Sequence, residues 1–98
     1  MEKNFLELKE EIIRKLVEER EKLYQEIKEK LTPIIFALIG EEEKKKGYAG
    51  YWEVFGKLKE KFDLSVSDYE RIIEELRLEG KIMKEWLAGI GGFLRIKR

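Results

Sequence analysis

Residues 81–98 carry Lys81, Lys84, Arg95, Lys97 and Arg98, with only Glu85 against them. A local excess of cations suits phosphate, because each neutralised phosphate releases condensed counterions. Lys84, Arg95, Lys97 and Arg98 are therefore the candidate phosphate contacts, and Lys57, Lys59 and Lys61 form a second basic area. The plainer reading of the basic tail is a solvated chain end. Over the whole chain 21 basic and 21 acidic residues cancel. A neutral chain has no global attraction to a polyanion, so binding has to come from such a local patch.

Other chemistries lack their residues. There is no Cys and no His. Thiolate nucleophiles, imidazole bases, disulfides and the common zinc ligand sets are thereby excluded. Glu74 and Glu75 are adjacent and point to different helix faces, so they make no acid–base pair. The expectation is a protein that is not an enzyme and uses no cofactor and no metal. One Asn and one Gln stand among abundant Glu and Lys, a bias reported for hyperthermophile proteins. The longest apolar run, Ile34–Ile39, is too short to span a bilayer, and a charged start leaves no signal-peptide core. A cytoplasmic protein that avoids the membrane is expected.

The elements that must position the cations follow from periodicity. Residues 3–31 read as one long amphipathic helix, with Phe5, Leu8, Ile12, Ile13, Leu16, Val17, Leu23, Tyr24, Ile27 and Leu31 on one broad face. Thr32-Pro33 ends it, since a residue before proline is pushed out of the helical region. The same pair starts a second helix over Pro33–Lys46. Its distal half, Glu41 to Lys46, reads as a solvated helix end. Gly47–Gly50 is a connector. A third helix spans Tyr51–Phe62 with Tyr51, Val54, Phe55, Leu58 and Phe62 inward. Ser65 is the N-cap of a fourth helix with Asp68 in capping-box spacing, although Ser67 and Glu70 fit the same box. Tyr69, Ile72, Ile73 and Leu76 form its buried stripe, and Gly80 stops it. Ile82–Leu87 and Phe93–Lys97 read as strands of a hairpin, joined by five residues with three glycines. In the second strand Leu94 and Ile96 face the core, and Arg95 and Lys97 face outward. The run Gly89-Ile90-Gly91-Gly92 has no following helix, so it is a turn and not a phosphate cradle. Trp86 is expected to cover the edge of the core. For Ile90 a buried position and a contact with a partner or a minor groove stand equal.

The run Leu64-Ser65-Val66-Ser67-Asp68-Tyr69-Glu70-Arg71-Ile72-Ile73-Glu74-Glu75-Leu76, with Gly80-Lys81-Ile82, resembles the recognition-helix pattern of winged helix-turn-helix proteins. These include small bacterial and archaeal repressors of the arsenic-sensor and multiple-antibiotic-resistance types, and the C-terminal winged helix of archaeal replicative helicases. The resemblance covers residues 33–98. It implies a mainly α fold with a small β-hairpin, preceded here by the long N-terminal helix (domains 1–31 and 32–98). It also implies a recognition helix in the major groove. At the matching positions Ser67 and Arg71 are the typical contact residues, while Asp68, Glu70 and Glu74 would meet phosphate with like charge. Residues 63–79 hold six acids (Asp63, Asp68, Glu70, Glu74, Glu75, Glu79) against Arg71 and Arg77. The hairpin therefore has to dominate any attraction to DNA. Soft-metal sensing, known in some similar repressors, does not carry over to a chain without Cys or His.

The stripe on the first helix is longer than a domain of this size can cover, since ~1.5 Å per residue gives it roughly 40 Å. An uncovered stripe implies a partner, and a second copy is the economical one. Phe5, Leu8, Ile12, Ile13, Leu16, Leu23 and Ile27 are the candidate homodimer interface. Lys9 and Arg20 snorkel at its margin or set register. The leading functional reading is a dimeric winged-helix protein on double-stranded DNA, a transcriptional regulator. The alternative is a winged-helix subunit or adaptor of a larger complex that binds protein and not DNA.

Overall fold

The computed structural model describes residues 4–97. The expected start of the first helix at Lys3 and the candidate Arg98 lie outside the described residues. The chain divides into two compact units, residues 1–30 and residues 31–98. It is mainly helical, with one small antiparallel sheet. The order is α1 (Phe5–Lys46), β1 (Ala49–Gly50), α2 (Tyr51–Phe62), α3 (Val66–Leu78), β2 (Ile82–Leu87) and β3 (Gly91–Ile96).

Asn4 opens α1: its side-chain oxygen accepts from the Glu7 N–H at 2.8 Å. Such a bond satisfies one of the free amide donors of a first helical turn. The expected break at Thr32-Pro33 does not occur, and α1 is one helix with Pro33 inside it. An internal proline costs ~3 kcal/mol. Here its ring is exposed, and the residues on either side of it, Leu31, Ile35, Leu38 and Ile39, are all buried. Burying four such side chains returns ~1.5–3 kcal/mol each, so packing overrides the local preference.

In residues 5–23 the apolar stripe is exposed. Phe5, Leu6, Leu8, Ile12, Ile13, Leu16, Val17 and Leu23 are each between 49% and 78% accessible. Ile27 is half-buried and Tyr24 is buried.

The core of residues 31–98 is built from one stripe of each element. To the buried residues of α1 are added Tyr51, Val54 and Leu58 of α2, Leu64, and Tyr69, Ile72, Ile73 and Leu76 of α3. Ile82 and Leu94 of the sheet close it. Phe62, expected inward, is 47% exposed, and the other residues of the last turn of α2 are exposed with it. α2 ends at Asp63, which takes the left-handed conformation (φ 53°) and returns its N–H to the Lys59 carbonyl. Ser65 caps α3 as expected, accepting from the Asp68 N–H. Gly80 (φ 74°) stops α3. The Gly80 N–H reaches the Arg77 carbonyl and the Lys81 N–H reaches that of Leu76, the paired bonds of a Schellman ending.

The sheet order is β1-β3-β2. The residues expected to be a plain connector supply β1, with Ala49 opposite Leu94 and Gly50 opposite Phe93. Two residues are too few to show a period of two. The hairpin turn is also tighter than expected. A Leu87 to Ile90 turn carries Gly89 at φ 86°, and β3 starts at Gly91 (φ 88°) and ends at Ile96. Positive φ at the third turn residue is what a type II turn requires, and glycine takes it without strain.

Candidate nucleic-acid interface

The expected contact residues do not form one surface. Strand alternation and register place Lys84 on the same sheet face as Ile82, Trp86 and Leu94, and Arg95 on the face of Met83, Glu85 and Phe93. The cations of the hairpin therefore fall into two groups, on opposite faces of the sheet.

The first group comes from α3 and β2. Ser67, Arg71 and Lys84 line an open groove of about 560 Å³ together with Tyr51, Trp52, Glu70 and Glu74. Residues 67, 70, 71 and 74 share one face of α3 because they are three and four apart, opposite the buried stripe. Lys84 Nζ sits 4.3 Å above the Tyr51 ring centre, a cation–π contact that holds the ammonium over the groove wall. Burial, followed by the Glu70 and Glu74 charges, pushes the Tyr51 hydroxyl above its ordinary pKa. Trp52 stands edge-on to Tyr51 at 4.8 Å and to Phe55 at 5.9 Å, yet it remains 57% exposed. Arg71 lies 3.7 Å from Glu75. Glu74 is gripped by the Arg77 guanidinium, whose Nε donates to it at 3.0 Å. That bond is the main cause holding the Glu74 carboxyl below the usual range.

The second group is Arg95 and Lys97. Arg95 is 3.8 Å from Glu85 and lines a smaller groove, about 350 Å³, with Glu43, Lys46, Gly47, Tyr48, Leu87, Ile90 and Phe93. Lys97 is exposed beyond the end of β3. Ile90, for which two readings were open, is 41% exposed and forms part of this wall.

Of the second basic area, Lys59 and Lys61 are exposed, whereas Lys57 is engaged by Glu42. Glu42 corrects the reading of Glu41 to Lys46 as a solvated helix end. It is 2% exposed and pairs with Lys57 and with Lys46 at 3.5 Å, while Lys46 also pairs with Glu53. The Lys57 bond is the main cause lowering the Glu42 carboxyl pKa, and burial opposes it. A signal for this was present, because Glu42 continues the spacing Leu31, Ile35, Leu38 on the inward stripe.

Trp86 is the other correction. It is not covering the core: it is 78% exposed. Its pairing partner across the sheet is Gly92, and a Cβ on the neighbouring Gly91 would lie 3.7 Å from the Trp86 ring. The indole thus leans over glycine backbone with its remaining surface in water. Tyr51 and Trp52 also went unnoticed as site residues. Trp52 falls between the inward positions of α2, and an aromatic off the buried stripe is the signal in the sequence that marks it.

Among the described residues no cluster of carboxylates is placed to hold a metal ion, and no helix is long and apolar enough to cross a membrane. Comparison with protein families, with curated proteins and with solved structures finds no match to this chain.

Proposed function

We propose that the chain is a dimeric winged-helix DNA-binding protein of the cytoplasm, acting as a transcriptional regulator. The observation that carries this reading is the convergence of Ser67 and Arg71 of α3 with Lys84 of β2 on one groove. The element order supports it: helix, short strand, two helices and a hairpin, with β1 joined to the hairpin's second strand. In this reading α3 approaches duplex DNA, Arg71 and Ser67 supply polar contacts, and Lys84, Arg95, Lys97 and Arg98 neutralise phosphates on either side. The exposed stripe of residues 5–23 supports self-association through the first helix.

Titration of a labelled random duplex of about 30 base pairs tests it. Binding at ~10⁻⁴ to 10⁻⁶ M that weakens steeply with salt is expected, with a log–log slope of about −0.9 per phosphate contact. A combined Lys84→Glu, Arg95→Glu and Lys97→Glu variant should abolish it. No binding of the duplex at low salt sinks the reading.

One observation favours a second reading, that of a protein-binding subunit in a larger complex. Glu70 and Glu74 stand in the same groove as the candidate cations, where they oppose an incoming phosphate backbone.

A further inference from the structure

The acids in the groove become intelligible when they are considered with its aromatics. Tyr51, Trp52 and Lys84 line the groove, and Trp86 follows Lys84 on the same face of the sheet. Trp86 pairs across the sheet with Gly92, a Cβ on Gly92 would lie 3.7 Å from the Tyr51 Cβ, and Lys84 covers the Tyr51 ring. Trp52 extends the Tyr51 side, and it and Trp86 expose 57% and 78% of their surface. Two indoles left in water beside a groove are poor packing and good stacking surface.

The charge arrangement suits bases better than backbone. Glu74 is held by Arg77, while Glu70 makes no ion pair among the described residues and stands beside Arg71 on the groove. A carboxylate repels phosphate, but it accepts hydrogen bonds from the amino groups of cytosine and other bases. In a duplex those edges lie within the grooves and the base faces are hidden in the stack. In a single strand both are presented, and aromatic shelves with a few cations are the usual means of holding them.

We infer that this groove takes the unpaired bases of single-stranded nucleic acid, stacking them on Trp52 within it and on Trp86 beside it on the sheet, and hydrogen-bonding them to Glu70, with Lys84 and Arg71 on the flanking phosphates. The inference rests on the nucleic-acid reading above and specifies its substrate class.

Anisotropy titrations of one labelled 30-nucleotide DNA, as a single strand, as a full duplex and as a duplex with a ten-nucleotide overhang, provide the test. The single strand and the overhang should bind at least tenfold more tightly than the duplex. Trp86→Ala should weaken single-strand binding by roughly 5- to 150-fold, the range for one lost base stack, and change duplex binding by less than about twofold. Trp52→Phe, which keeps the contacts with Tyr51 and Phe55, should weaken it by a smaller factor. Glu70→Gln should lower the preference for the single strand. Duplex binding as tight as single-strand binding overturns the inference and leaves the DNA reading standing. A single-strand preference that survives both tryptophan substitutions also overturns it. Binding of neither form overturns both and turns the groove over to a protein partner. Single-strand binding without duplex binding supports the inference and removes the duplex reading.

Discussion

Tyr69 ties two helices together with one atom. Its ring is fully buried and its hydroxyl donates to the backbone carbonyl of Tyr51. Burial pushes its pKa well above the ordinary phenol value. Tyr69→Phe keeps the shape and loses the bond, so unfolding free energy should fall by ~0.5–1.5 kcal/mol, read from urea midpoints. An unchanged midpoint would show that the hydroxyl contributes nothing. Glu42 gives a pH dependence whose sign follows from its lowered pKa. A carboxyl whose folded pKa lies below its unfolded value stabilises above the ordinary glutamate range, and loses that stabilisation as pH falls through the folded value. Glu74 shares this direction. Lys46, Lys57 and Arg77 have raised values, so their contribution is complete below the ordinary range and fades as pH rises through the folded values. Glu42→Gln should therefore flatten the acid limb of a stability–pH curve and lower the plateau near neutrality, leaving the slope due to Glu74. An acid limb identical to that of the parent would contradict this assignment.

At the scale of elements, helix ends are held by glycine and by caps, and one proline is carried at a cost. Gly80 has open space around its Cα but φ of 74°. Gly80→Ala should cost ~1–2 kcal/mol for the left-handed conformation alone, and Gly80→Asn less. Thermal unfolding followed by circular dichroism will rank the two, and an alanine variant as stable as the parent would show that α3 does not need this ending. Pro33→Ala should act in the opposite direction, raising stability by about 1–3 kcal/mol, since the missing backbone bond is restored at an exposed position. A lower midpoint would show that the proline is needed for packing.

These elements also show how much was legible beforehand. α2 and the cap and stop of α3 were readable because local chemistry and apolar period agree there. Pro33 signals a break that does not occur, because its local cost is overridden by burial on both sides, which no short window contains. β1 was missed because its only reason to be a strand is Leu94 and Phe93, more than forty residues away. The groove is half legible in the sequence: Ser67, Arg71 and Lys84 are among the expected contacts, but the separation of Lys84 from Arg95 depends on the register of β2 against β3. Trp86 was read as core cover, yet its pairing partner is a glycine and offers no side chain to pack on.

For the whole molecule, the exposed stripe of residues 5–23 is an extended apolar feature outside the core. Eight large apolar side chains left in water on one helix favour association, and a second copy would bury its equivalent stripe at the same time. Sedimentation equilibrium at micromolar concentration should give twice the mass of one chain. Ile13→Glu with Leu16→Glu should return it to one, with the α3–hairpin fold retained by near-ultraviolet dichroism. A parent that sediments as a single chain at all concentrations would refute self-association.

The two tryptophans have a consequence for anyone following this protein by light. Both indoles, Trp52 and Trp86, are mostly in water in the native state. The folded chain should therefore emit at the long wavelengths usually taken as the mark of an unfolded one. Denaturant should barely move the emission maximum while helical dichroism collapses. A fluorescence melt would report a protein without a transition, when the transition had only gone unseen.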